Sequence, residues 1–134
     1  MRAAKHSLSL STLSDSLAVV RLAPGTPVPG WVLAVGGAFS SVTRTADELS
    51  IVCAESAVPL GEARVEGGWR ALKVAGPLDF GLTGVLASLA SPLAAAGVSI
   101  FAVSTFDTDY VLVRGEKLDA ARTVLERAGH RFEG

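Results

Sequence analysis

The fold of this chain is decided by one stretch in its C-terminal half, VSIFAVSTFDTDYVLV at residues 98–113. Residues 98–105 form a nearly continuous apolar run, which is typical of a strand that is buried on both faces or nearly so. Residues 106–109 are rich in aspartate and threonine, as in a turn, and residues 110–113 return to an apolar pattern. The stretch therefore predicts two strands joined by an acidic turn.

A helix is predicted directly before this stretch, over residues 83–96. Apolar residues recur there at three- and four-residue spacing, which places them on one face of a helix. Thr83 is the expected N-cap and Gly97 the stop signal. Pro92 lies inside the helix, removes one backbone donor and predicts a kink.

A second helix is predicted after the stretch, over residues 116–128, and it ends at Gly129. Residues 69–75 alternate like a strand before the first helix, and residues 130–132 add a short edge strand after the second. The resulting order is strand, helix, strand, strand, helix, strand, which is the split βαβ order of ferredoxin-like α+β folds. His130 shows no partner pattern and is expected at a surface or edge position.

The N-terminal half offers strands but no clear helix. Four segments have strand-like patterns: residues 8–13, 17–22, 39–45 and 48–54. The spacing of the first two would allow a hairpin. Residues 23–30 hold three prolines and two glycines, which end both patterns, and residues 31–35 fit either a short strand or a single helical turn.

The two halves carry an internal echo. Without gaps, residues 43–52 align with residues 104–113 at an offset of 61 positions, and both segments run from a Ser/Thr-rich strand through an acidic turn into an apolar strand. Such a period predicts two copies of one small module. The segment Glu66-Gly67-Gly68 interrupts the apolar pattern and is the best candidate for the boundary. We therefore expect an N-terminal module at 1–66 and a C-terminal module at 67–134.

Composition and charge exclude several classes of protein. Of the 134 residues, 49% are hydrophobic and 19% are charged, so the chain can bury a core and bulk disorder is excluded. A net charge of -1 without a basic run argues against nucleic-acid and anionic-membrane partners. The sequence lacks an apolar run of about 18 residues, which predicts no transmembrane helix. An N-terminus without a signal-peptide pattern predicts a cytoplasmic protein.

Metal and disulfide chemistry lack the residues that they need. The single cysteine, Cys53, cannot form an internal disulfide. Together with only two histidines, it leaves too few soft ligands for a zinc site. Cys53 lies within an apolar strand and is expected to be a buried core thiol, not a nucleophile. No cofactor and no metal are therefore expected.

Three segments resemble the signature of the tandem ACT-domain family: residues 100–113, IFAVSTFDTDYVLV; residues 44–52, RTADELSIV; and residues 76–86, GPLDFGLTGVL. The resemblance covers roughly residues 8–132. Members of this family are similar to the regulatory ACT region of aspartate kinase and to the arginine-sensing ACT proteins of animals.

The resemblance implies a fold and an activity. The implied fold is two βαββαβ modules in tandem, with antiparallel sheets and helices on one face, associated side by side within the chain or across a dimer. The implied activity is small-molecule binding, with an amino acid as the default ligand. The first module departs from the family pattern because the Pro/Gly-rich residues 23–30 stand where its first helix belongs. A regulated protein is expected to be a separate chain.

The ligand site implied by this resemblance begins with groups that would hold a carboxylate. The N-terminus of the helix near Thr83 offers backbone N–H groups and the favourable end of the helix dipole. Gly81 and Gly84 would let the main chain approach the ligand closely, with Phe80 and Leu82 beside them. The alternative is that these residues only form a turn and cap the helix.

The ligand ammonium needs carboxylates or carbonyl oxygens. Asp107 and Asp109 follow an apolar strand, at a place where sheet proteins commonly contact ligands, and Asp47 and Glu48 are their counterparts in the first module. A solvated acidic turn is the alternative. The same turn supplies further candidates, for which core packing and pairing across the sheet are the alternatives: Ser104, Thr105, Phe106 and Thr108.

Three functions are compatible with these residues. The first is an amino-acid-binding sensor or regulatory subunit that acts on a separate protein and forms at least a dimer. The second is a small enzyme, which lacks support because no nucleophile–base pair and no glycine-rich phosphate loop stand out. The third is an interaction module without a ligand, in which surplus apolar surface and exposed sheet edges serve oligomerisation.

Overall fold

The structure, a computed structural model, describes residues 7–33, 39–78 and 83–133. These residues form the strands β1 Ser9–Thr12, β2 Leu17–Leu22, β3 Ser41–Arg44, β4 Leu49–Ala54, β5 Val65–Val74, β6 Ile100–Ser104, β7 Asp109–Arg114 and β8 Arg131–Phe132. They also form the helices α1 Val85–Ala95 and α2 Leu118–Arg127. Three short 3-10 helices lie at Gly30–Leu33, Glu55–Ala57 and Gly115–Lys117. Across the described ranges, we find no helix with the length and apolar content to cross a bilayer.

The chain divides into two compact units. The first module is Ser14–Trp69, and the second module is Arg70–Gly134 together with Met1–Leu13. This division differs from the expected modules 1–66 and 67–134 in two places: the N-terminal segment joins the second module, and the boundary within β5 lies between Trp69 and Arg70. Strand β1 pairs antiparallel with the end of β5, with Leu10 opposite Val74, and parallel with β8. The buried side chain of Leu10 contributes to the core of that module.

The second module has the predicted α+β architecture. Its elements β5, α1, β6, β7, α2 and β8 follow the βαββαβ order. In its sheet β6 pairs with β7, β7 with β5, and β5 with β1. The core combines alternate sheet residues with the apolar stripes of both helices: Leu10, Leu72, Val74, Leu89, Leu93, Val98, Val111, Val113, Ala121 and Leu125.

Two details of the first helix differ from the prediction. Gly84, not Thr83, is the N-cap of α1, and it lies in the left-handed region with φ 80°. That conformation costs a glycine little and a threonine much more, so the backbone, not a side-chain cap, begins the helix. Pro92 lies inside α1 as predicted, and Gly97 follows the helix with φ 76°.

Strand β6 is more exposed than predicted. The sequence predicts burial on both faces, but its residues range from half-buried to exposed. Within the described chain β6 pairs only with β7, so it is an edge strand that lacks a neighbour on its other side.

The first module is a smaller version of the same sheet. Its strand order is β3-β4-β2-β5, and the residues described there contain 3-10 helices but no α-helix. The segment left open by the sequence forms a 3-10 helix at Gly30–Leu33. The hairpin between β1 and β2 is not formed, because β2 pairs with β4 and with the beginning of β5 instead.

The similarity between the two halves is present in the structure, but the equivalent positions lie 60 residues apart and not 61. Thr45 N–H donates to Glu48 O at 2.9 Å, and Thr105 N–H donates to Thr108 O at 2.8 Å. The strand pair Arg44 and Leu49 likewise corresponds to Ser104 and Asp109. The hairpin register therefore makes Asp47 the counterpart of Asp107, a relation that the ungapped alignment misplaced by one residue.

Burial raises the pKa of the Cys53 thiol in β4. The thiolate is the reactive form, so we expect Cys53 in the folded chain to react with a thiol reagent at about pH 8 at least tenfold more slowly than in the unfolded chain. Because the folded pKa is the higher one, the stability linked to this group is present below the unfolded pKa and is lost as the pH rises through the folded pKa. The rate of Cys53 labelling by a thiol reagent, measured with and without urea, checks this expectation. Equal labelling rates would contradict the buried position of Cys53.

Candidate functional site

The segment that leaves β5 lies directly against the turn between β6 and β7. Leu78 N–H donates to the carbonyl oxygen of Asp107 at 2.7 Å. A Cβ at Gly76 would lie 2.9 Å from that same oxygen and 3.1 Å from the Cβ of Thr108. The approach of these two backbones therefore requires a residue without a side chain at position 76. We call residues 76–78 and 105–108 together the loop–turn junction.

A buried hydroxyl holds this turn to the end of β5. Thr108 is 5% exposed, and its Oγ1 donates to the carbonyl oxygen of Val74 at 2.6 Å. The turn also closes on itself, since the N–H of Thr108 donates to Thr105 Oγ1 at 3.2 Å. Thr105 and Thr108 thus shape the turn: the hydroxyl of Thr105 donates to Thr108 O within it, and the hydroxyl of Thr108 donates to Val74 O in β5.

The acidic and aromatic side chains of the turn have different surroundings. Asp107 is exposed and Phe106 is 79% exposed, so the ring of Phe106 is not part of the core. Asp109 is half-buried and accepts a hydrogen bond from Ser104 Oγ at 2.7 Å. Asp107 is therefore the carboxylate of the turn that faces solvent, while Asp109 braces the end of the hairpin.

The remaining predicted residues are separated into three groups. Thr83 and Gly84 lie at the start of α1 and are exposed. Phe80, Gly81 and Leu82 lie outside the described residues. Asp47 and Glu48 lie in the equivalent turn of the first module. Thr83 follows Leu78 by five positions in the sequence, so their Cα atoms lie at most about 18 Å apart, which bounds the distance from the junction to α1.

Sequence reasoning missed the residues on the β5 side of the junction. Gly76 and Pro77 are visible in the sequence only as a strand stop, while the structure assigns Gly76 a close contact and Leu78 a hydrogen bond. The Gly-Pro pair at the end of an apolar strand was the available signal. Its contact with a turn about 30 residues later could not be predicted, because β5 pairs with a strand that follows an entire helix.

The equivalent junction of the first module is held by arginine side chains. Arg44 donates through its two terminal nitrogens to the carbonyl oxygens of Pro24 at 2.8 Å and Thr26 at 2.9 Å. Arg21 donates to the carbonyl oxygen of Asp47 at 2.9 Å. The Asp47 and Asp107 carbonyls thus accept at corresponding positions, from an arginine in the first module and from a backbone N–H in the second.

The candidate polar groups of the second module lie at its β6–β7 turn and at the start of α1. Among the residues that the structure describes, no three His, Cys, Asp or Glu side chains form a group that could hold a metal ion. The second module instead combines a solvent-facing carboxylate at Asp107 with the start of an eleven-residue helix. A helix N-terminus attracts anions through its free N–H groups and dipole.

Comparison with known proteins supports this description. Residues 64–127 match the model of the ACT domain, and residues 15–60 match a second model that describes an N-terminal domain. A crystal structure from Agrobacterium tumefaciens is 41% identical, covers 96% of this chain and 93% of its own, and superposes with a TM-score of 0.87. The ligand-free regulatory subunit of aspartate kinase from Thermus thermophilus is 14% identical, with coverage of 89% and 95% and a TM-score of 0.65, and it shows the fold alone.

Curated relatives match a shorter part of the chain. The human and bovine proteins named cytosolic arginine sensor for mTORC1 subunit 1 are each 40% identical over 60 residues, which is 44% of this chain. The match spans only 18% of the length of those relatives. The ACT-domain match, the similar whole-length structure and the shared fold lead to one conclusion: the chain belongs to the ACT-domain family.

Proposed function

We propose that this chain is a non-catalytic ACT protein that binds an amino acid and regulates a separate protein. The observation that carries the proposal is the loop–turn junction, where a glycine contact and the Leu78–Asp107 hydrogen bond hold Asp107 in a fixed turn. The names of the related proteins agree with such a role, since they include arginine sensors and a regulatory subunit of aspartate kinase. The sensor names also favour a cytosolic location.

The chemistry of an amino acid fits the groups of the second module. Its ammonium would pair with the exposed carboxylate of Asp107, and its carboxylate would accept from the backbone N–H groups at the start of α1, next to Thr83 and Gly84. Phe106, at 79% exposure, is available to cover the ligand side chain. Phe80, Gly81 and Leu82 precede α1 and stay predictions.

The first module is the weaker candidate for ligand binding. Its loop carbonyls at Pro24 and Thr26 already accept from Arg44, and the Asp47 carbonyl accepts from Arg21. A ligand ammonium would have to compete with these guanidinium groups. We therefore assign Asp47 and Glu48 a secondary role, and we expect one ligand per chain.

Ligand binding is tested by calorimetric titration with arginine, lysine, threonine and the branched-chain amino acids. We expect one of them to give a saturable signal and, at about 100 times its Kd, to stabilise the fold by about 2.7 kcal/mol. Asp107→Ala should raise the Kd at least tenfold, since it removes the ion pair with the ammonium.

Glu126→Ala is the matched control for this titration, because it removes an exposed carboxylate of the same module on α2. Its Kd should stay within about twofold of the original value. Absence of a saturable signal with all of these ligands would overturn the proposed function.

Gly76→Ala tests the junction itself. The added methyl group would meet the Asp107 carbonyl at 2.9 Å, so the two backbones must separate, at an expected cost of about 1–3 kcal/mol in the free energy of unfolding. The Kd should rise as Asp107 moves. Gly25→Ala is the control, because a Cβ there meets nothing within 4 Å. Urea denaturation and titration of both variants check the expectation, and equal behaviour would contradict it.

We also propose that two copies of the chain associate through the free edge of β6. Residues 98–105 contain no charged residue and no proline, which are the usual means of blocking an edge strand. An antiparallel pairing of β6 with its copy would bring Ala102, which is exposed, opposite itself. The backbone groups on that edge would then be paired, as a symmetric dimer allows.

The dimer is tested by sedimentation of the original chain and of Ala102→Lys. We expect the original chain at about twice its 13.7 kDa mass. The variant should sediment as a monomer, because two like charges would face each other at the centre of the pairing. Thr123→Lys on the exposed face of α2 is the control and should remain dimeric. A monomeric original chain at all concentrations would overturn the dimer.

A further inference from the structure

Helix α1 lacks one of its own hydrogen-bond donors. In an α-helix the N–H of residue i+4 donates to the carbonyl oxygen of residue i, and the partner of Ser88 is Pro92, which has no N–H. The ring of His130 lies at this carbonyl, with Nε2 at 3.1 Å from Ser88 O. The ring of His130, which follows α2 in the sequence, thus lies at the carbonyl that Pro92 cannot donate to.

The other ring nitrogen of His130 is also engaged. Leu8 N–H donates to Nδ1 at 3.1 Å, and the residue is 3% exposed. A backbone N–H can only donate and a carbonyl oxygen can only accept. The partners therefore specify the neutral ring with the proton on Nε2. The sequence-based expectation of a surface or edge position for His130 is wrong, because the side chain is buried between α1 and the N-terminal segment.

His130 is connected to the start of α1 through a single residue. The N–H of Ser88 donates to Gly84 O at 2.9 Å, and its hydroxyl donates to Val85 O at 2.7 Å. Ser88 therefore ties the first turn of the helix to Gly84, and its own carbonyl is held by His130. A displacement of the ring would release the turn that follows Thr83 and Gly84.

Of the elements around His130, α2 and β8 carry charged residues, whereas α1 and β1 carry none. Helix α2 carries Asp119, Arg122, Glu126 and Arg127, of which Arg122 stacks on the ring of Phe132. In β8, Arg131 donates to Ser9 Oγ at 2.9 Å. Both ring nitrogens are engaged by backbone groups, so the state of the ring is set by those groups.

We propose that His130 is a positioning residue that replaces the donor missing at Pro92 and holds the start of α1 in place for ligand binding. Loss of the imidazole ring then weakens ligand binding, because the carbonyl of Ser88 in the first turns of α1 is no longer held. The positioning of α1 stands on the hydrogen bonds alone, while the effect on the ligand rests on the proposed function.

A double-mutant cycle tests the positioning of α1 without any ligand. His130→Phe removes the partners of two partly buried backbone groups, Leu8 N–H and Ser88 O, and we expect the unfolding equilibrium constant to rise about tenfold. In Pro92→Ala the helix regains its own donor for Ser88 O, so His130→Phe should cost at least about threefold less. His130→Gln, which keeps an amide donor, should recover part of the loss.

The ring state gives a readout that a purely structural role would not move. Nitrogen NMR of the imidazole at about pH 7.5 should show the proton on Nε2. A proton on Nδ1, or equal costs of His130→Phe in both backgrounds, would overturn the role of His130.

Ligand titration of two His130 variants then tests the coupling. We expect the Kd of His130→Phe to rise about tenfold relative to the original chain, and that of His130→Gln, which keeps an amide donor, to rise less. An unchanged Kd in His130→Phe would overturn the coupling. If no amino acid binds to the original chain while the cycle and the ring state come out as expected, the proposed function and the coupling fail, and the role of His130 in α1 stands.

Discussion

One buried hydrogen bond supports the arrangement of the candidate site. The hydroxyl of Thr108 donates to the carbonyl of Val74 at 2.6 Å, at the last residue of β5. Removal of this hydroxyl would lose a buried hydrogen bond, which contributes about 0.5–1.5 kcal/mol to stability. The bond brings the β6–β7 turn to the point where the chain leaves β5, and the contacts of Gly76 and Leu78 with Asp107 follow from it.

In each module the hairpin turn is linked to the segment that follows the neighbouring strand, but different groups form the link. In the second module, backbone meets backbone, which requires a glycine and permits an approach of 2.7 Å between Leu78 N and Asp107 O. In the first module, Arg21 and Arg44 reach across to backbone carbonyls. These carbonyl oxygens are therefore already engaged by guanidinium groups. The difference explains why the second module is the better candidate for a ligand site.

The helices show how tertiary contacts repair local conflicts. Pro92 disfavours a helix at its position, yet α1 runs from Val85 to Ala95 because Leu89 and Leu93 are buried and His130 meets the carbonyl of Ser88. In the first module the described residues keep the strand order without α-helices. Strand pairing is thus the part of the module that both copies share.

Much of the second module could be predicted from local pattern. The α+β class, the order of its elements, the turn at residues 106–109 and the stop at Gly97 follow from periodicity and turn chemistry, which act over a few residues. The offset of the echo was wrong by one residue, because similar polar residues align well at either offset while only the hydrogen bonds of the hairpin specify the register.

The sequence by itself determined most of the strands, both α-helices and the acidic turns, and it indicated the family through residues 44–52, 76–86 and 100–113. Only the tertiary structure decided which strands pair, that β1 joins the second module, that β6 is an edge strand, and that His130 is buried. The physical reason is that periodicity reports which face of a segment is apolar, whereas the partner of that face is chosen by packing among residues far apart in the chain.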